Sequence, residues 1–250
     1  MSTTRLDHLE PVDSANGMGA GTKAFDVSAS QVILHVLIAV AALLWLELNG
    51  GNRLIADRLF AWEGGQWLLK DHFITSVLVH QVGKYLSMMM WLATVASWWI
   101  VRRKKELITW HRPLLYLWIA TLASTVLVSA LQSLTALDCP WDLVNYGGSR
   151  PYYGLFDARP AGLHDSGCFP SGHASAGYCW VALYFFCASV APRWRRTGLV
   201  FGLALGGIFG ISQQLRGAHF ASHDVATLLT CWLTAVTLHF ALRPRTDAGH

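Results

Sequence analysis

At 250 residues, 53% hydrophobic and only 14% charged, with 12 tryptophans, the chain is too apolar for an ordinary soluble domain and has the composition of a membrane protein. Its net charge of +4 comes from short lysine and arginine clusters between apolar runs. That arrangement suits the cytoplasmic loops of a membrane protein and not a nucleic-acid-binding surface. No internal repeat or low-complexity tract stands out.

The first thirty residues are small and polar and lack a charged-then-apolar pattern with a cleavage site. They are expected to form a mobile cytoplasmic tail (1–30). A membrane domain (31–242) and a short tail (243–250) follow. A span needs about 20 apolar residues, and six runs qualify. The first is Val32 to Leu48. A mixed segment from Gly50 to Asp71 follows, with Leu54, Phe60, Trp62 and Trp67 among Arg53, Asp57, Arg58 and Glu63. It reads as a helix lying in the interface. The second span is about Ile74 to Val101, with His80 and Lys84 four residues apart on one helical face. The third is about Pro113 to Leu134. A long loop, 135–170, leads to the fourth, Ser171 to Val190. The fifth, about Gly198 to Leu215, carries Gly202, Gly206, Gly207 and Gly210, which allow close helix packing. The sixth is about Asp224 to Leu242.

Basic clusters at 102–105, 193–196 and 243–245 fall on one side of a six-span bundle, and that side is assigned to the cytoplasm. The loops after the first, third and fifth spans then face outward. If the cell is a Gram-negative bacterium, the protein is expected in the inner membrane with that face toward the periplasm. Trp62, Trp67, Trp141, Tyr146, Tyr152 and Tyr153 would mark the water interface there.

Two stretches on the outer side carry chemistry. Cys168-Phe169-Pro170-Ser171-Gly172-His173 opens the fourth span. Ser171 is placed to cap the helix, Gly172 lets N–H groups approach a ligand, and a helix N-terminus favours anions. His173 adds a group that titrates near neutral pH. Downstream lies Arg216-Gly217-Ala218-His219-Phe220-Ala221-Ser222-His223-Asp224. Topology brings both stretches to one depth, at opposite ends of neighbouring helices.

Together they resemble the type 2 phosphatidic acid phosphatase superfamily, the membrane-bound relatives of the vanadium haloperoxidases. The likeness covers the chain from about Ser133 onward. Members carry Pro-Ser-Gly-His at one helix start and, later, a histidine in a His-aromatic-x-Ser setting, here His219-Phe220-Ala221-Ser222. The resemblance implies an all-α membrane bundle that removes phosphate from a membrane lipid, with no cofactor and no metal. It implies His219 as nucleophile through a phosphohistidine and His173 as proton donor and later base. Ser171, Gly172 and Arg216 would bind phosphate oxygens. Asp224 or His223 would orient His219, and in an alternative register His223 is itself the nucleophile.

The chain departs from the family in two places. The first family motif, a lysine, six residues, then Arg-Pro, occurs literally as Lys105 to Arg112-Pro113, but in a cytoplasmic loop a membrane thickness from the histidines. At the position where it is expected, Gln132 and Cys139-Pro140 stand without either cation. Arg150, Arg159 and Lys84 are the candidates to refill the phosphate set. The arginine expected six residues before the histidine is Gln213, and Arg216 lies three before it.

Cys139 and Cys168 share the outer loop, where an oxidising compartment permits a disulfide. Cys179, Cys187 and Cys231 lie in apolar spans. Three other readings stay open: a phosphotransferase using the same histidine, a silent protein of the same fold, and a cytochrome using His35, His80, His173 and His239. The composition does not name the lipid or an oligomeric state.

Overall fold

The computed structural model describes residues 27–162 and 166–242. The expected tails fall almost wholly outside the described residues, as does His164. Helices dominate what is described, and the single β-bridge recorded joins Leu143 to Arg150.

Each of the six apolar runs is helical. Helix α1 (Ala29–Leu48) begins at a capping box. Ser28 Oγ accepts from the Gln31 N–H at 3.2 Å, and Gln31 Oε1 accepts from the Ser28 N–H at 3.0 Å. Helix α2 (Gly51–Trp62) lies within the segment expected at the interface. A π-wound stretch, Phe73–Val82, runs straight into α3 (Gly83–Val101). Helix α4 is His111–Thr135. The fourth run is a composite of α5 (Gly172–Tyr178), a 3-10 turn (Cys179–Ala182) and α6 (Leu183–Val190). Helices α7 (Arg195–Leu215) and α8 (Ala221–Ala241) complete the bundle.

Four helical stretches are long and apolar enough to cross a membrane by length and composition: Ala29–Leu48, Lys105–Asp142, Pro192–Leu215 and Ala221–Ala241. The other two runs are broken, the second by π winding and the fourth by the 3-10 turn. At the start of the π stretch, Thr75 Oγ1 bonds the Leu69 and His72 carbonyls, and Ser76 Oγ bonds the His72 carbonyl at 2.9 Å. Hydroxyls that compete for backbone carbonyls loosen the α-helical ladder.

Close packing of α7 is set by glycines spaced four apart. A Cβ on Gly202 would lie 2.4 Å from the Val181 nitrogen, and one on Gly206 would lie 2.1 Å from the Tyr178 ring. Gly198 and Gly210 face Leu183 and Asp224 in the same way, whereas Gly207 points into open space. The stripe seats α7 against the α5–α6 rod, backbone to backbone. Tyr116, Leu117, Val181, Phe185, Cys231 and Ala235 build the core between α4, the rod and α8.

At one end of the bundle a cap forms. Asn52 of α2 is 2% exposed, and its side chain bonds Glu47, the Ser222 hydroxyl and the Ser222 N–H at 2.8–3.0 Å. Phe60, Trp67 and Tyr146 pack together beneath it. Lys70 lies 4.5 Å over the Trp141 ring, and Arg53 lies 5.6 Å over Tyr152. Most of the tryptophans and tyrosines expected to mark the interface are thus built into this cap, while Trp62 remains 72% exposed. At the far end, Arg102 and Arg103 stack on Trp98 and Trp99. The decoy pattern Lys105 to Arg112-Pro113 lies at the start of α4. Twenty helical residues, about 30 Å at 1.5 Å per residue, separate Arg112 from Gln132 near the other end.

Candidate active site

The site is assembled where α5 and α8 begin and α7 ends. The Phe169-Pro170 bond is cis, and Ser171 follows as the N-cap of α5 with its hydroxyl facing the Ala174 N–H at 3.4 Å. Ser171 is fully buried. Its N–H bonds the His223 carbonyl at 3.2 Å, and its carbonyl accepts from Thr227 at 3.1 Å. These bonds fix the start of α5 to α8. Gly172 is needed for proximity: a Cβ there would lie 2.8 Å from Gln132 Oε1. His173 bonds the main chain of Val79 in the π stretch, and its buried Nε2 has no partner. A buried ring nitrogen without a partner is costly unless something binds there.

Helix α7 ends at Gly217, whose φ of +69° is left-handed. A side chain there would also strike Trp67, with a Cβ 2.4 Å from the ring. Only glycine satisfies both demands. The turn that follows presents His219. His219 Nδ1 meets His223 Nδ1 at 3.2 Å, and both rings also bond the Cys168 main chain. Burial pushes the His219 pKa down, the Cys168 carbonyl opposes this, and the charges of His80 and Arg216 push it further, to about 4. His219 is therefore a neutral imidazole at pH 7.

A fourth histidine, His80, completes the group. The His80 ring lies against His173 with centroids 4.3 Å apart, and Phe209 packs on the same ring at 5.0 Å. His80 Nδ1 is 3.1 Å from Gln213 Nε2, and Gln213 Oε1 accepts from Arg216 Nη1 at 3.3 Å. Arg216 Nε donates to the Lys70 carbonyl at 2.7 Å. His80, His173, His219 and Arg216 thus lie within electrostatic reach of one another.

Other expected site residues make different contacts. Asp224 was expected to hold His219. It is instead 5% exposed behind Ser171, where it accepts from Gln214 Nε2 at 2.6 Å and bonds Ser171. The reason is register: His223 faces His219 from the first turn of α8, and the next residue turns toward α7, where Gly210 makes room for it. Arg150 forms an ion pair with Asp138 at 2.5 Å, and Arg159 bonds Tyr153 in the outer loop. Both are thus engaged by the loop itself. Lys84 is exposed one turn beyond His80 and within its electrostatic reach. Cys139 and Cys168 are bonded, with Cα atoms 5.4 Å apart. Of the four histidines considered for haem, His35 packs on Trp232 and His239 on Phe185.

Among the described residues, no group of three or more His, Cys, Asp or Glu side chains is arranged to hold a metal ion. Residues not expected from the sequence are His80, Gln213 and the Cys168 carbonyl. His80 left a signal as an ionisable group within an apolar run, and Gln213 as the residue at the position of the expected arginine. Searches of curated proteins and of solved structures gave no match. A family model described as the PAP2 superfamily matches residues 113–246, from the start of α4 past the end of α8 and over more than half of the sequence. On that match, reinforced by the paired histidine stretches at one end of the bundle, the chain belongs to the PAP2 superfamily.

Proposed function

We propose that this protein is an integral-membrane phosphatase that hydrolyses a lipid phosphomonoester or pyrophosphate at the outer face of a bacterial inner membrane. Members of the superfamily are generally phosphatase-type enzymes. The observation that carries the reading is the unpartnered Nε2 of His173, buried among His80, His219 and Arg216. Such a cluster of basic groups favours an anion.

In the proposed mechanism the phosphate enters between α3, α5 and the α7–α8 turn, while the lipid tails remain in the bilayer. All six helical runs cross the membrane. His219, its Nδ1 engaged by His223, attacks phosphorus through Nε2, and the bond to the leaving oxygen breaks. His173, protonated at that stage, gives its proton to the leaving oxygen. The neutral His173 then takes a proton from water, whose oxygen attacks phosphorus and releases phosphate from His219. Arg216 and the N–H groups at the start of α5 stabilise charge on the equatorial oxygens. The route uses no metal ion.

The test is phosphate release by purified protein in detergent with EDTA, over a panel of lipid phosphates. Release that survives EDTA and disappears in His219→Ala is expected. Release abolished by EDTA and restored by a divalent cation would overturn the metal-free route.

A further inference from the structure

His80 is not part of the paired stretches that carry the family resemblance, yet its ring lies against His173. Its protonation pattern follows from its neighbours. Arginine only donates hydrogen bonds, so the Gln213 oxygen must be the atom that faces Arg216 Nη1. That leaves the Gln213 nitrogen as donor to His80 Nδ1 at 3.1 Å. An accepting Nδ1 puts the proton of a neutral imidazole on Nε2. The chain Arg216–Gln213–His80 therefore ends in an N–H that none of these contacts uses.

His173 is the mirror case. Its ring bonds the Val79 main chain, and its Nε2 is bare and buried. A donor and an acceptor thus belong to two neighbouring rings, tilted by 31° with centroids 4.3 Å apart. A phosphoryl group that reaches His173 lies beside His80 as well. Val79 and His80, both within the π-wound Phe73–Val82, meet the same ring, and π segments recur at functional sites. Gln213 stands where the resemblance led us to expect an arginine, and it touches both His80 and Arg216.

We infer that His80 is a phosphate ligand, donating from Nε2 to a phosphoryl oxygen, and that the His80–Gln213–Arg216 chain replaces the arginine missing at position 213. The inference rests on the phosphatase reading for its biological meaning, but it concerns binding of a phosphate-like anion and can be measured without turnover. The chemistry it recognises is a tetrahedral oxyanion, whether on a lipid headgroup or free.

The experiment measures orthovanadate and inorganic phosphate binding by calorimetry on the full chain in detergent, with thermal unfolding of each variant as a fold check. Phosphate release from lipid phosphates is followed in parallel. His80→Ala is expected to weaken orthovanadate binding about tenfold or more, the loss of a hydrogen bond to a charged group. Adding Gln213→Arg to His80→Ala is expected to recover most of that loss, which a merely structural histidine would not allow. Gln213→Leu, which removes the bond that sets the tautomer but keeps His80, is expected to weaken binding several-fold. It decides the matter if His80→Ala does not fold. Wild-type affinity in His80→Ala or in Gln213→Leu, or no recovery in a folded double variant, overturns the inference. A wild type that binds orthovanadate but releases no phosphate from any lipid overturns the phosphatase reading, and the variants still judge His80. Failure of the wild type to bind either anion overturns the inference itself.

Discussion

His219 and His223 meet Nδ1 to Nδ1 at 3.2 Å, and His223 is 2% exposed while His219 is only partly covered. One ring must donate and the other accept, so the pair shares a proton position and acts as a unit. On the proposed mechanism the difference in burial separates their roles: the accessible ring attacks and the enclosed one orients it. Removal of His219 (His219→Ala) is expected to lower kcat by about a thousandfold or more, because the attacking atom is gone. His223→Ala leaves the attacking ring but loses its partner, and a fall of about ten- to a hundredfold is expected. Steady-state phosphate release checks both. A larger loss in His223→Ala than in His219→Ala would reverse the roles.

The pH profile follows from the same ring. Attack needs the neutral imidazole, which exists above its pKa. Burial and the nearby charges lower that pKa to about 4. The acid limb of kcat/KM that belongs to the nucleophile is therefore expected near pH 4, not near the ordinary histidine value of about 6.5. A profile from pH 3.5 to 9 on wild type checks it. A nucleophile limb near 6.5 would mean that His219 is not desolvated as described.

The disulfide is expected to matter for activity as well as stability. Cys168 is bonded to Cys139 across a separation of 29 residues. By loop-closure entropy such a link contributes about 3–4 kcal/mol. The Cys168 carbonyl also receives both histidines. The double variant Cys139→Ser/Cys168→Ser is expected to unfold at lower temperature and to lose activity while still folded. Circular dichroism melts and phosphate release, on the same sample, separate the two effects.

The glycine stripe makes a graded prediction. A Cβ at Gly202 meets backbone 2.4 Å away, which cannot yield as a side-chain tip can. Gly202→Ala is expected to cost about 1–3 kcal/mol through forced separation of α7 from the rod. Gly207→Ala meets nothing within 4 Å and is expected to be neutral, or stabilising by up to about 1 kcal/mol from helix propensity. Unfolding of the two variants in one detergent provides the comparison.

The six helical runs, the close packing of α7 and the two chemical stretches were legible in the sequence. Hydrophobic length, glycine spacing and helix-start residues act locally along the chain, so a linear reading recovers them. The rejection of Lys105 to Arg112-Pro113 was legible for a related reason. A helix as long as α4 keeps its two ends apart whatever its neighbours do.

What only the tertiary structure decided is which polar groups meet. Arg150 pairs with Asp138 and Arg159 bonds Tyr153 in the outer loop, partners that the linear order did not indicate. Asp224 follows His223 directly, yet a step of about 100° around a helix carries it to α7, where Gly210 leaves room. Residues 80, 173 and 213 lie far apart in the chain, on the π stretch, α5 and α7. Their contacts arise from the crossing of the π stretch, α5 and α7, and depend on a winding irregularity that no spacing rule announces. The sequence by itself thus determined a helical membrane bundle with paired histidine stretches at one end. The packing of those helices decided which side chains share the pocket, because hydrogen bonds across elements depend on distances that local preferences do not set.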